Sequence, residues 1–147
     1  MLIEVKAKVS RIIDGKTRRR IENFITDKEV FAEAEMAVMQ SLSEDQSCGN
    51  VEDFEIQSLR VSPIKEVAAQ FQGNYSFVVT LKDIWLDNDG TEKTLKYKVL
   101  LWADNTTDAN THALQLQRQG YDMQIEGIKQ VDYDYLTVTN NGTDRSE

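Results

Sequence analysis

Apolar and polar residues alternate along IEVKAKVSRI, turn at Asp14-Gly15 and resume in RRIENFIT, the pattern of a half-buried hairpin. In DKEVFAEAEMAVMQSLSE the period changes. Phe31, Ala34, Val38 and Leu42 fall on one helical face, with Glu33 and Gln40 turned elsewhere. Thr26 with Glu29 three residues on is a capping box and predicts where this helix starts. A polar loop, Ser43–Asn50, leads back to strand period in FEIQSLRVSPIKEV. The same order then recurs. YSFVVTLKDIWL, Asp89-Gly90 and TLKYKVLLWA form a second hairpin, followed by the helical NTTDANTHALQLQRQ and the strand-like DMQIEGIKQVDYDYL. Ala109, Ala113 and Leu116 are the stripe of the second helix, with Asp104 or Thr106 as its cap.

Each half therefore reads strand, turn, strand, helix, strand. The first unit covers residues 1–72, the second 73–138, and the polar tail 139–147 is expected to fray. The two last strands share a defect as well as a pattern. Alternation holds through Phe54 and Ile56, then slips to Leu59 and Val61; it holds through Met123 and Ile125, then slips to Ile128. A one-residue slip flips the side-chain face unless a bulge absorbs it, which places bulges at Ser58 and Gly127. Beyond them Ile64 and Val67 correspond to Tyr133 and Leu136. A three-residue loop in both hairpins pairs Leu81 with Tyr97, Val79 with Val99, Ala7 with Ile21 and Ile3 with Ile25, keeping apolar pairs on one face. In this register Lys8 faces Arg20 and Lys82 faces Lys96. Strand–helix–strand in each unit is a right-handed crossover if its strands are parallel. The predicted fold is α+β: tandem ββαβ units, a mainly antiparallel sheet and two helices packed on it, the units forming one compact domain.

Duplicated chains of this length, ending their units in segments such as FEIQSLRVSPIKEV and MQIEGIKQVDYDYL, resemble an uncharacterised domain-of-unknown-function family of gut Bacteroidetes and their crAss-like phages. The resemblance spans roughly residues 2–136. It implies a bacterial or phage protein made inside a host cell, and it carries no activity or catalytic residues.

Composition narrows the picture further. With 147 residues, 40% hydrophobic and 29% charged, the chain is an ordinary soluble one, and no apolar run is long enough to span a bilayer. Cys48 is the one cysteine, which excludes an internal disulfide and points to the cytoplasm; beside Gly49 in a polar loop it reads as an incidental thiol. His112, the one histidine, sits mid-helix near Ala109 and Ala113 and reads as a packed residue, not a general base. Asp87-Asn88-Asp89-Gly90 invites a calcium reading, but counting back from Gly90 puts Trp85 at the first ligand position, so a hairpin turn explains it. No phosphate-cradling or metalloprotease motif is present. No catalytic residue, metal, cofactor or small-molecule substrate is therefore expected, and the chain does not read as an enzyme.

Two features point to partners. Net charge is −8, yet Arg18, Arg19 and Arg20 follow the first turn and Lys93, Lys96 and Lys98 the second, as candidate contacts to an anionic partner or nucleic acid. Solvated, aggregation-blocking strand faces are the other reading of the same residues. The second hairpin is apolar on both faces; Val78, Leu100 and Trp102 form a candidate interface, covered by the other unit or by a second copy of the chain. The expected function is a small non-enzymatic binding or assembly protein, phage-associated and cytoplasmic, acting on a protein partner or by self-association. A nucleic-acid-binding accessory protein using the basic hairpins is the alternative.

Overall fold

The computed structural model describes residues 1–44 and 50–137. Cys48 and the tail 139–147 lie outside the described residues. In chain order the elements are β1 (Ile3–Ile13), β2 (Lys16–Thr26), α1 (Phe31–Glu44), β3 (Asn50–Val61), β4 (Ile64–Ala68), β5 (Tyr75–Leu86), β6 (Glu92–Ala103), α2 (Thr106–Leu114), β7 (Asp122–Val131) and β8 (Tyr133–Leu136). The fold is α+β.

The strands form two mixed sheets, ordered β3-β1-β2-β8 and β7-β5-β6-β4. In each, an antiparallel hairpin is flanked by an antiparallel strand on one side and a short parallel strand on the other. The two segments expected as single bulged strands are each two strands. Pro63 has no N–H with which to continue the ladder after β3, and the segment after β7 breaks at Asp132. The strand that follows each break pairs in the other sheet. The sequence pattern divides near Gln72-Gly73-Asn74, whereas the compact units are Met1–Ser62 with the chain from Tyr133, and Pro63–Asp132.

In the first unit Ala34, Val38 and Leu42 of α1 pack on Ile3, Val5, Ala7, Val9 and Phe24, with Val51, Phe54, Ile56 and Leu59 of β3 alongside. Phe31, expected on this stripe, is exposed at the first turn. The expected capping box is not formed. Thr26 ends β2, its hydroxyl accepts from Lys28 N at 3.4 Å, and the helix begins only where Ala34 N bonds Val30 O at 3.1 Å. In the second unit Ala109 and Ala113 of α2, with Leu116 just beyond it, pack on Phe77, Val79, Leu81, Val99 and Leu101. Its cap is Asn105, not Asp104 or Thr106: the Asn105 side chain accepts from Asp108 N at 2.8 Å, and Asp108 accepts from Asp104 N at 3.0 Å.

The bulges fall at equivalent places, one residue before the small residues. Lys6 pairs Ser58 and Ala7 pairs Ile56, leaving Gln57 extra; Thr80 pairs Gly127 and Leu81 pairs Ile125, leaving Glu126 extra. In β3 the chain slips again at Glu52, between Asp53 and Val51. Both bulged strands are sheet edges, and bulges together with the short edge strands β4 and β8 discourage further pairing. The parallel ladders make Ile64 equivalent to Tyr133 as expected, but Val67 matches Tyr135 and Ala68 matches Leu136, because β4 also slips by one residue between Ile64 and Glu66.

The second hairpin has the expected register, with Leu81 opposite Tyr97 and Asp87 bonded to Thr91 around Asn88-Asp89-Gly90. In the first hairpin the register is different. Asp14 and Gly15 alone form the loop, at φ 54° and 77°, both left-handed as a type I′ turn requires. Ile3 therefore faces Thr26 and Ala7 faces Glu22, instead of Ile25 and Ile21.

Gly73 lies against Ala103, where a Cβ would come 2.2 Å from the Ala103 carbonyl carbon, while a Cβ at Gly127 meets nothing within 4 Å. Gly73→Ala should lose about 2 kcal/mol or more of unfolding free energy, as overpacking against backbone does. Gly127→Ala should stay within about 1 kcal/mol of wild type. Chemical denaturation of the two variants checks the contrast.

Candidate functional site

The inward-facing phase of β1 runs Ile3, Val5, Ala7, Val9 and then, at the hairpin end beyond the apolar core, Arg11. Its side chain is buried, at 2% exposure. The Nε and Nη2 groups donate to Glu22 Oε2 at 2.7 Å and Oε1 at 2.8 Å, a bidentate pair, and Arg20 Nε adds a bond to Oε2 at 3.0 Å. Burial pushes the Glu22 carboxyl up, but hydrogen bonds and charge from Arg11, then Arg20, outweigh it and hold the group below its usual value of 4.5.

The second unit also ends its inward phase on a buried charge, one step of the alternation nearer the core. The inward phase of β5 runs Phe77, Val79, Leu81 and then Asp83, which is 0% exposed. Arg118 Nη2 donates to Asp83 Oδ2 at 2.8 Å, while Oδ1 is buried without a hydrogen-bond partner among the described residues. Tyr97 holds the position equivalent to Glu22, since Ala7 pairs Glu22 as Leu81 pairs Tyr97. Burial first, then the Asp83 charge and hydrogen bonding to it, push the Tyr97 hydroxyl up to about 12. The Arg118 guanidinium lies 4.4 Å from the Tyr121 ring centre, and Tyr121 meets Trp85 edge-on at 5.3 Å. Lys65 Nζ stands 5.3 Å from the Tyr97 ring.

Within neither hairpin do the three basic residues share one face. Alternation puts Arg18 and Arg20 on the helix-covered face of β2 with Glu22, and Arg19 on the other; Lys93 is on the helix-covered face of β6, Lys96 and Lys98 on the other. All six are exposed, but Lys96 is held by Glu126 at 2.8 Å, as Arg20 is by Glu22. The expected Lys8–Arg20 opposition is absent, because the two-residue loop sets Lys8 against Ile21 and Val9 against Arg20. Lys82 does face Lys96. The bulged Glu126 relieves that repulsion, and its bond to Lys96 holds its own carboxyl low.

Of the candidate interface residues, Leu100 is 0% exposed and Val78 and Trp102 are half-buried. His112 is engaged: Nδ1 lies 2.9 Å from the Trp102 carbonyl, Nε2 3.3 Å from Asp108, and the ring stacks on Phe71 at 4.6 Å. The Asp87–Gly90 run is a turn whose carboxylates accept from Asn88 N and Thr91 N. Among the described residues no three His, Cys, Asp or Glu side chains gather as a metal site, and no helix is long and apolar enough to cross a membrane.

One apolar surface lies off the expected stripe of α1. The outward side of α1 carries Met36 at 68% exposure and Met39 at 42%, lining a shallow hollow of about 460 Å³ with Lys28, Glu33, Ala37 and Gln40. Val30 and Phe31 are also exposed at its start. The signal was present in the sequence, since Met36 and Met39 are apolar at positions off the buried stripe.

A family model described as a domain of unknown function matches residues 1–139. No curated protein and no solved structure matches the chain.

The Arg11–Glu22 pair makes stability depend on pH with a definite sign. A carboxyl held low in the folded state stabilises above its unfolded value, and that contribution is lost as pH falls through the folded value. Glu22→Gln should cost about 3 kcal/mol at neutral pH, since it leaves Arg11 buried without its counter-charge. The gap to wild type should narrow below the ordinary carboxylate value of 4.5. Denaturant titrations of both proteins at neutral and acid pH check it.

Proposed function

The chain belongs to the DUF4494 family, a domain of unknown function, and we propose that it is a small non-enzymatic binding or assembly protein that meets a protein partner through the outer side of α1. The exposed Met36 and Met39 carry this reading. Unbranched, polarizable methionine side chains adapt to a partner surface, and apolar groups gathered on an exposed helix mark contact sites. Glu33 lines the hollow with Lys28, and along residues 27–44 five carboxylates (Asp27, Glu29, Glu33, Glu35, Glu44) stand against Lys28 as the one basic residue. A second copy would bring like charges together, so the fitting partner is a protein with an apolar anchor fringed by Lys and Arg. His112 spends its ring on Trp102, Asp108 and Phe71, which supports a structural role over a catalytic one. The cytoplasmic, bacterial or phage setting belongs to the same proposal and rests on the single cysteine and on the family resemblance.

The nucleic-acid reading draws on the same six basic residues. Their division between two faces and the hold of Glu22 on Arg20 and Glu126 on Lys96 weaken it. In titrations with labelled oligonucleotides at about 50 mM salt, where phosphate contacts are strongest, this account expects no binding that is lost when all six become Ala.

Met36→Glu with Met39→Glu should leave the melting curve close to wild type, because both side chains are exposed. Purification from native cells with identification of bound proteins should recover a basic protein on the wild type and lose it on the double variant. The same partner retained by both, or a self-association unchanged by the substitutions, would overturn the α1 surface.

A further inference from the structure

The two units bury a charged residue at the same end of the same sheet face, and the first shows what a purely structural pair looks like in this fold. There both Glu22 oxygens are taken, by a bidentate arginine. In the second unit Arg118 reaches only Oδ2 of Asp83; the Tyr97 hydroxyl also lies beside this carboxylate, yet Oδ1 stays buried outside hydrogen-bond geometry among the described residues. Leaving such an acceptor open is costly, and in native proteins it marks a place where another group belongs. The bond comes from an exposed side chain: Arg118 is 55% exposed and lies in the irregular segment between α2 and β7. Its guanidinium rests against the Tyr121 ring, itself backed by Trp85. A buried carboxylate beside aromatic rings is the chemistry that recognises a guanidinium or ammonium group, by charge, by paired hydrogen bonds and by cation–π contact.

We infer that Asp83, with Tyr121 and Trp85 beside it, is a binding site for a guanidinium or primary ammonium group, and that Arg118 is its exchangeable resident. Arg118 occupies the site with a single hydrogen bond. An incoming guanidinium fork engages both carboxylate oxygens and replaces it over Tyr121, while Arg118 moves into solvent. A primary ammonium binds the same carboxylate without the planar fork and therefore more weakly. The site is independent of the α1 surface, so failure of either leaves the other standing.

The test is titration of methylguanidinium chloride, with sodium chloride at equal concentration as the control. It is followed by the Trp85 indole NMR signal and by melting temperature. Arg118→Ala empties the site, and Arg118→Gln, which keeps the side-chain stem, serves if the first variant folds poorly. Saturable shifts of Trp85 and a raised melting temperature are expected in the Arg118 variants. Wild type should bind about tenfold or more weakly, because its tethered arginine competes at high effective concentration. The response should vanish when Asp83→Asn is added. An arginine within a Gly-Arg-Gly peptide binding more tightly than arginine amide would assign the group to a protein partner; equal binding would assign it to a free ligand. No saturable response in either Arg118 variant would mean that the Tyr97 hydroxyl or water completes Oδ1, and an equal response in the Asp83→Asn background would place binding elsewhere. Either result overturns the inference.

Discussion

A short parallel ladder joins β8 to β2, pairing Asn23 with Tyr133 through Thr26 with Leu136, and its counterpart joins β4 to β6. Without these strands β2 and β6 would end their sheets as long open edges with unpaired N–H and C=O groups. The covering strand in each case comes from the other of the two stretches 1–72 and 73–138. Asn23 and Tyr133 are 110 residues apart, so the first sheet cannot be completed until nearly the whole chain is available. Such pairing commits a large loop-closure entropy before its contacts repay it. The ladder also ties in side chains beyond the backbone. Asp27 N bonds Leu136 O at 3.3 Å. Glu4, bound by Arg60 at 2.9 Å and Ser62 at 2.6 Å, acts with burial to raise the Tyr133 hydroxyl.

Within each completed sheet the helix is too short to cover the whole face. The apolar phase of the first strand fills the part under the helix and then gives way to a charge. Arg11 and Asp83 differ in sign and in position: Asp83 is equivalent to Val9, one step of the alternation short of Arg11, so the two units share a buried charge near the hairpin end but not its exact place. Burying a charge is tolerated only with a counter-charge and hydrogen bonds around it, which Glu22 supplies fully and Arg118 supplies in part. The difference separates a bidentate pair from a carboxylate with one oxygen outside hydrogen-bond geometry.

Much of this architecture was legible in the sequence, and the misreadings have physical causes. Period-2 and helical patterns locate all the long strands and both helices, and the shared slip near Ser58 and Gly127 locates the bulges to within one residue. The register of the second hairpin was readable because Phe77, Val79 and Leu81 face Leu101, Val99 and Tyr97, so apolar matching gives the right answer. In the first hairpin the matching rule fails. Its helix-covered face pairs Val5 with Phe24 but also Ala7 with Glu22, Val9 with Arg20 and Arg11 with Arg18, so apolar matching of Ala7 with Ile21 and Ile3 with Ile25 favours the wrong register. Exchange of the terminal strands leaves no trace in a pattern, because a strand reads the same whichever sheet it joins. Arg11 and Asp83 were visible as charges on an apolar phase, but their partners were set by tertiary structure; Arg118 lies 35 positions from Asp83.

The exchange of strands is tested most directly by separating the halves. Chains 1–72 and 73–138, made apart, each lack the strand that closes their own sheet. Far-ultraviolet circular dichroism with thermal melts should show no cooperative transition for either alone, and an equimolar mixture should recover one near that of the intact chain. A cooperative melt of the 1–72 chain by itself, with the stability of the full protein, would contradict the account.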